Sequence, residues 1–101
     1  MNRLNRTDFA ILEVLASGKR NVAANVALEI DADRSYVNNR FSYILEEGLV
    51  ERVGPKELSG LYEITPKGQA VVRHQDKYRS DRVDDFAAFI DEQLTDTAES
   101  T

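Results

Sequence analysis

The middle of the chain shows two helical patterns of apolar residues, one directly after the other. Over residues 21–30, small and apolar side chains recur at positions 23, 26, 27 and 30, the spacing of an amphipathic helix. The segment 31–33 (Asp-Ala-Asp) interrupts this pattern, and a second one covers 34–47. Its apolar positions are Val37, Phe41, Ile44 and Leu45. We therefore predict two short helices joined by a tight turn, the second of which ends at Gly48.

A hairpin is predicted immediately after the second helix. Leu49–Gly54 and Leu61–Thr65 have strand-like patterns, and Pro55–Gly60 forms the tip that joins them. Two helices at a steep angle followed by a hairpin are the layout of a winged helix-turn-helix, which offers its second helix to the DNA major groove. The predicted fold class is mostly α with a small antiparallel β-hairpin.

The start of each predicted helix is inferred from a side chain that can cap it. Thr7 is expected to cap the first helix, which ends at Ser17-Gly18, and Asp33 to cap the third. Residues 19–21 are a connector that could form a one- or two-residue strand against the hairpin, which is the wing of this fold. Asn21 is then expected to cap the second helix.

Two more helices are predicted after the hairpin. Pro66 is well placed at the first position of a helix that runs from Lys67 to about Tyr78, although Gly68 fits that helix less well. A last helix is predicted from about Arg82 to Leu94, and the polar residues 95–101 are expected to fray.

The third helix has an unusual outer face. Ser35, Asn39, Ser42 and Glu46 lie opposite its apolar side, and Tyr36 and Tyr43 lie beside them. Amides can pair with adenine edges, hydroxyls with bases or phosphates, and aromatic rings can pack on thymine methyls or sugars. This favours DNA recognition over the alternative of a simply solvated face.

Two arginines of this helix have different expected roles. Arg34 lies in the first turn, which enters the groove deepest, and is the candidate for a bidentate contact to guanine. Arg40 lies on the flank next to the core, where it could reach a phosphate or pair with a neighbouring carboxylate.

The wing offers a weaker signal. Arg52 and Lys56 flank the hairpin tip, where a phosphate or minor-groove contact is expected, but Glu51 and Glu57 dilute the positive charge. A hairpin without any DNA contact is the alternative.

The predicted last helix carries an apolar stripe of Val83, Phe86, Ala87, Ile90 and Leu94. A monomer could bury this stripe on its own body, or a symmetric dimer could bury it across a two-fold axis, and we favour the dimer. A further alternative is that the acidic segment mimics DNA and competes for the basic face. The chain then divides into a winged-helix DNA-binding domain over 1–78, a dimerisation helix over 79–95 and a disordered tail over 96–101.

The charge distribution qualifies the DNA-binding hypothesis. The 101 residues carry a net charge of −5. Residues 81–101 hold seven acidic residues and one basic residue, so residues 1–80 hold 11 acidic and 12 basic residues. A net charge of +1 gives residues 1–80 only a weak positive field for attracting DNA. A salty cytoplasm would reconcile this weak charge with DNA binding, because at about 1 M salt the Debye length is only about 3 Å and long-range attraction matters little. An extreme halophile is therefore the hypothesised source.

The composition argues against several other classes. The chain has no cysteine and one histidine, His74, so thiolate zinc sites, disulfides, a Cys nucleophile and paired-histidine sites are excluded. The five glycines form no phosphate-binding loop, and no apolar run is long enough to span a bilayer. We expect a cytoplasmic protein that is not an enzyme and needs no cofactor or metal, while any small-molecule effector is unknown.

Three segments resemble a known family. They are Asp31–Phe41 (DADRSYVNNRF), Leu45–Gly54 (LEEGLVERVG) and Leu61–Gly68 (LYEITPKG). They are similar to the small winged-helix regulators of haloarchaea and their viruses, including repressors of the phage phi-H type. The resemblance covers about residues 7–73 and implies a repressor that binds its operator as a homodimer. It also implies that Arg34, Ser35, Tyr36, Asn38 and Asn39 read DNA, whereas Phe41-Ser42-Tyr43 departs from the leucine and basic residues of many relatives.

These observations predict a sequence-specific regulator of transcription that binds double-stranded DNA. The rival hypothesis is a winged-helix module that binds another protein and has lost its DNA face, because a fold alone does not fix a function.

Overall fold

The computed structural model describes residues 4–17, 20–53, 60–79 and 86–99. Within these ranges the chain forms six helices and a three-stranded antiparallel sheet, which confirms the predicted fold class. In chain order the elements are α1 (Arg6–Ala16), β1 (Asn21–Val22), α2 (Ala23–Glu29), α3 (Arg34–Glu46), β2 (Val50–Val53), β3 (Leu61–Ile64), α4 (Pro66–Arg73), α5 (Gln75–Arg79) and α6 (Phe86–Glu99).

Helix α1 begins earlier than the sequence pattern indicated. Asn5, not Thr7, is its N-cap, and its side-chain Oδ1 accepts from the backbone N–H of Asp8 at 2.9 Å. The Asp8 carboxylate in turn accepts from the backbone N–H of Asn5 at 2.9 Å. This reciprocal capping box satisfies two N–H groups at once, which a cap at Thr7 could not do.

The connector before α2 does form a strand. Asn21 and Val22 pair with Tyr62 and Leu61, so β3 lies in the middle of a sheet of order β1-β3-β2. The expected cap at Asn21 is wrong, because Asn21 belongs to the strand and Val22 occupies the N-cap position of α2 without a side-chain bond.

Helix α3 begins and ends where the sequence predicts. The Asp33 carboxylate accepts from the backbone N–H of Tyr36 at 3.0 Å, and Gly48 follows the helix with a φ of +79°. A positive φ costs glycine little, since it has no Cβ to clash with the backbone.

Strands β2 and β3 are each shorter than predicted, and the hairpin tip with Lys56 lies outside the described residues.

Helix α4 is anchored to the segment that ends α3. Its N-cap is Thr65, whose Oγ1 accepts from the N–H of Gly68 at 3.1 Å and donates to the carbonyl of Gly48 at 2.7 Å. Pro66 occupies the first turn as predicted. The predicted single helix to Tyr78 is interrupted at His74, and α5 begins at Gln75.

Helix α6 packs against α4 within the same chain. Phe86 and Ile90 are buried in the core, and Leu94 is half-buried against it. The assignment of Phe86 and Ile90 to a dimer interface is therefore corrected: one chain buries them by itself, which was the alternative prediction. The helix continues to Glu99, beyond the predicted end at Leu94. Val83 and the side chain of Ala87 lie outside the described residues.

The core lies between α1, α2, α3, α4 and α6 and one face of the sheet. Its largest fully buried apolar side chains are Phe41, Ile11, Leu12, Leu15, Ile44, Leu49 and Ile90. None of the helices in the described ranges combines the length and the hydropathy needed to cross a bilayer.

Candidate nucleic-acid interface

Helix α3 is held firmly by its inner face. Val37, Phe41 and Ile44 are completely buried, and the ring of Phe41 stacks on Tyr62 of β3 with 4.3 Å between centroids. Since Val37, Phe41 and Ile44 recur at helical spacing, burying them fixes which side of the helix faces outward. The predicted apolar side of this helix is thus confirmed as its core side.

The outward side of α3 is an exposed, uncharged polar strip, which we call the outer strip and define as Ser35, Asn39 and Ser42. The Ser42 hydroxyl donates to the carbonyl of Asn38 at 3.3 Å, a bond that an alternative partner can replace. The acidic residue Glu46 follows at the C-terminal end of the same face and is also exposed. The strip therefore presents amide and hydroxyl groups to whatever approaches the helix.

One edge of the outer strip consists of Tyr36, Arg40 and Tyr43. They are four and three residues apart, so they share one side of the helix. Arg40 does not extend outward, since its Nε and Nη2 donate to Oδ1 and Oδ2 of Asp8 at 2.7 and 2.6 Å. Its guanidinium also lies 4.7 Å from the ring centre of Tyr43, which is half-buried. The carboxylate alternative for Arg40 is the one observed, and the prediction that Arg40 contacts DNA is corrected.

The partner of Arg40 is buried deeply. Asp8 is completely inaccessible, while the Arg40 side chain retains 20% of its exposure. The hydrogen bond to Asp8 raises the pKa of Arg40 above its ordinary value, against a smaller opposing effect of burial. The positive charge of Arg40 is therefore paired with Asp8 within the protein.

Tyr36 is also held by the start of α1. Its hydroxyl accepts from the side-chain amide of Asn5 at 2.9 Å, while 43% of the residue remains exposed. The sequence pattern indicated neither Asn5 nor Asp8 as part of this region. The available signal was the Asn5-Arg6-Thr7-Asp8 spacing of a capping box, which indicates the helix start but not the contact with α3.

The opposite edge of the outer strip carries Arg34 and Asn38. Both are exposed and border an open groove of about 260 Å³ whose other walls are Val22, Ala23, Ala24, Gly60 and Tyr62. Arg34 belongs to the first turn of α3, as the predicted guanine contact requires. Its side chain is thus positioned beside the groove between α2, α3 and the sheet.

The described part of the wing adds one exposed cation. Arg52 is exposed on β2, where its backbone pairs with Tyr62. A second basic residue, Arg20, precedes β1 at the opposite edge of the sheet. Its Nε lies 3.7 Å from the Glu63 carboxylate, and the two side chains are 60% and 40% exposed. An exposed pair of this kind is weak. No group of three potential metal ligands occurs among the described residues.

Comparison with known proteins identifies solved structures that have a similar fold. No protein-family model and no curated protein matches the chain. Several solved structures do match. RV1404 from Mycobacterium tuberculosis has a TM-score of 0.66 at 22% identity, and the match covers 90% of this chain and 60% of RV1404. Lactococcus lactis ZitR in complex with DNA has a TM-score of 0.62 at 19% identity, covering 97% of this chain and 75% of ZitR.

Reduced MarR from E. coli gives a TM-score of 0.63 at 17% identity, with 96% of this chain and 74% of MarR covered. The chain therefore spans about three fifths to three quarters of the length of these proteins. These named neighbours come from bacteria, so the narrower likeness to haloarchaeal and phi-H type repressors is not supported. At these identities the likeness establishes the fold alone: the chain has a winged-helix fold similar to that of MarR.

Proposed function

We propose that this protein is a sequence-specific transcriptional regulator that binds double-stranded DNA through α3 and acts as a repressor in a homodimer. The observation that carries the proposal is the outer strip, Ser35, Asn39 and Ser42, exposed on a helix whose opposite side is completely buried. A rigid helix with a narrow polar face fits the major groove, which is about 12 Å wide.

The chemistry of the helix supports base recognition. Asn39 can make a bidentate contact to adenine, and Ser35 and Ser42 can bond to bases or phosphates. Arg34, in the first turn, can donate two hydrogen bonds to guanine. Arg52 on β2 is available to a phosphate, which would position the protein without reading its sequence. Lys56 stays a predicted contact of the same kind.

The structural neighbours support the same proposal. ZitR has been solved in complex with DNA, and PcaV of Streptomyces coelicolor, 21% identical over 94% of this chain with a TM-score of 0.61, is described as a transcriptional regulator. The homodimer is proposed because a two-fold protein matches a palindromic operator. Its interface would use surfaces other than Phe86 and Ile90, which are already buried.

Selection of bound sequences from a random pool of duplex DNA tests the proposal. We expect one motif to be enriched, palindromic if the protein is a dimer, and Asn39→Ala to reduce binding to that motif. Absence of any enriched motif, at both about 0.1 M and about 1 M KCl, would overturn the proposal in favour of the protein-binding module.

A saline origin is a separate proposal that rests on the charge distribution. With a net charge of −5 and acidic residues concentrated after residue 80, the chain would repel DNA over long distances in dilute buffer. Molar salt screens that repulsion. If the protein is fully folded and binds its motif equally well in dilute buffer and in molar KCl, the halophile hypothesis is wrong.

A further inference from the structure

The first turn of α1 makes two side-chain contacts to the same edge of α3. Asn5 donates to the hydroxyl of Tyr36, and Asp8 accepts two hydrogen bonds from Arg40 one helical turn further along. The capping box joins Asn5 to Asp8, so the four side chains form one connected network. The network links residues about 30 positions apart in the chain.

We propose that Asn5 and Asp8 are positioning residues for DNA recognition, which hold one edge of α3 at a fixed distance and angle from the start of α1 and keep the ring of Tyr36 beside the outer strip. This inference rests on the proposed function, since it assigns specificity to residues that do not themselves touch DNA. Asp8 also keeps Arg40 away from the phosphates, so that the flank of the helix adds no sequence-independent attraction.

The presence of a charged pair, Asp8 and Arg40, at this contact supports a positioning role. Among the described residues, Asp8 is the charged residue that is completely buried. Burying an ion pair costs desolvation energy that apolar residues of the same size would avoid. Its bidentate hydrogen bonds, however, are directional and specify both distance and angle between α1 and α3, whereas the hydrophobic effect is non-directional. We infer that the pair is used for orientation more than for stability.

Tyr36 is the residue through which this orientation reaches the DNA. The residue is 43% exposed, next to Asn39 on the outer strip, and its hydroxyl accepts a hydrogen bond from Asn5. An exposed tyrosine without that bond would sample several side-chain conformations. Held in one conformation, its ring can pack on a thymine methyl group or a sugar at a fixed position.

The first test separates orientation from stability. The single variant Arg40→Met leaves Asp8 buried without its partner, and the double variant Asp8→Leu/Arg40→Met replaces the pair with apolar side chains. We expect the double variant to recover most of the thermal stability that the single variant loses, short of the capping-box hydrogen bond from Asn5 that Asp8→Leu also removes, yet to bind DNA with a reduced base preference. If the double variant recovers both stability and base preference, the pair only supports the fold and the inference is overturned.

The second test stands even if the double variant does not fold. Asn5→Ser keeps a good N-cap but is too short to reach Tyr36, and Tyr36→Phe keeps the ring without the hydroxyl. We expect each change to lower the preference at the same base pair by about threefold to tenfold, the range for one hydrogen bond. The combined variant Asn5→Ser/Tyr36→Phe should lose no more base preference than either single variant, because both changes remove the same hydrogen bond.

The matched control is Gln69→Ser, which removes an exposed amide from α4, away from α3, and should leave the preference unchanged. Asn5→Ser, Tyr36→Phe, their combination and Gln69→Ser should all melt within a few degrees of the wild type. A wild type with no base preference would overturn the proposed function and this inference together. A wild type with a clear preference that Asn5→Ser does not alter would overturn the inference alone.

Discussion

Gly68 lies so close to the carbonyl oxygen of Leu49 that a Cβ at position 68 would collide with it and with the side chain of Ile64. The first turn of α4 can therefore sit directly on the segment that joins α3 to β2. That contact explains why a glycine stands in a helix where its flexibility is otherwise unfavourable.

Gly68→Ala should destabilise the protein by about 2–3 kcal/mol, because overpacking against backbone atoms cannot be relieved by a side-chain rotation. Chemical denaturation monitored by circular dichroism measures the change. The exposed neighbour Gln69 provides the control, since Gln69→Ala should alter the free energy of unfolding by less than about 0.5 kcal/mol. Equal stability of Gly68→Ala and the wild type would mean that the close packing is not kept in solution.

Arg40→Met should be strongly destabilising, by about 3–5 kcal/mol, because it leaves the buried carboxylate of Asp8 without a counter-charge. The free energy of unfolding at neutral pH is the measurement. Arg52→Met removes an arginine from an exposed site and should change stability by less than about 0.5 kcal/mol. Similar small effects for both substitutions would show that the Asp8–Arg40 pair is not formed.

Arg34→Ala should weaken binding to the selected DNA motif by about 1–3 kcal/mol and relax the preference at one base pair. Arg52→Ala should instead weaken binding to all sequences alike and reduce the dependence of affinity on salt. The same pattern is expected for Lys56→Ala. Competition assays with single-base variants of the motif distinguish the two effects, and a preference unchanged by Arg34→Ala would remove this residue from the base-reading set.

Ile90→Ala should cost about 2–5 kcal/mol of folding stability, because it opens a cavity between α6 and α4. The oligomeric state measured by sedimentation should stay that of the wild type. Glu92→Ala, on the exposed side of the same helix, is the matched control. If Ile90→Ala instead dissociated a dimer without loss of folding stability, Ile90 would belong to an interface between two chains.

The sequence predicted the central helices well, because several local signals agree there. Asp33 caps α3, Gly48 ends it, and Val37, Phe41 and Ile44 mark its buried side, so both its length and its rotation follow from short-range rules. The position of Pro66 in the first turn of α4 was predictable for the same reason.

The partners of flanking side chains were not predictable in this way. The spacing of Phe86 and Ile90 predicts an apolar face, but it does not indicate whether α4 or a second chain covers that face. Arg40 was expected to find a phosphate or a carboxylate, and its actual partner lies 32 residues earlier. Asn5 was missed as a cap because Thr7, two residues later, also carries a side-chain oxygen that can cap a helix.

The edges of the small sheet restrict how two copies of the protein can associate. One outer strand, β1, has only two residues, and the other, β2, exposes the charged side chains of Glu51 and Arg52. Short or charged outer strands discourage the addition of a further strand from another molecule. Continuous sheets that run from one copy into the next are therefore disfavoured, and self-association is expected to proceed through helix surfaces.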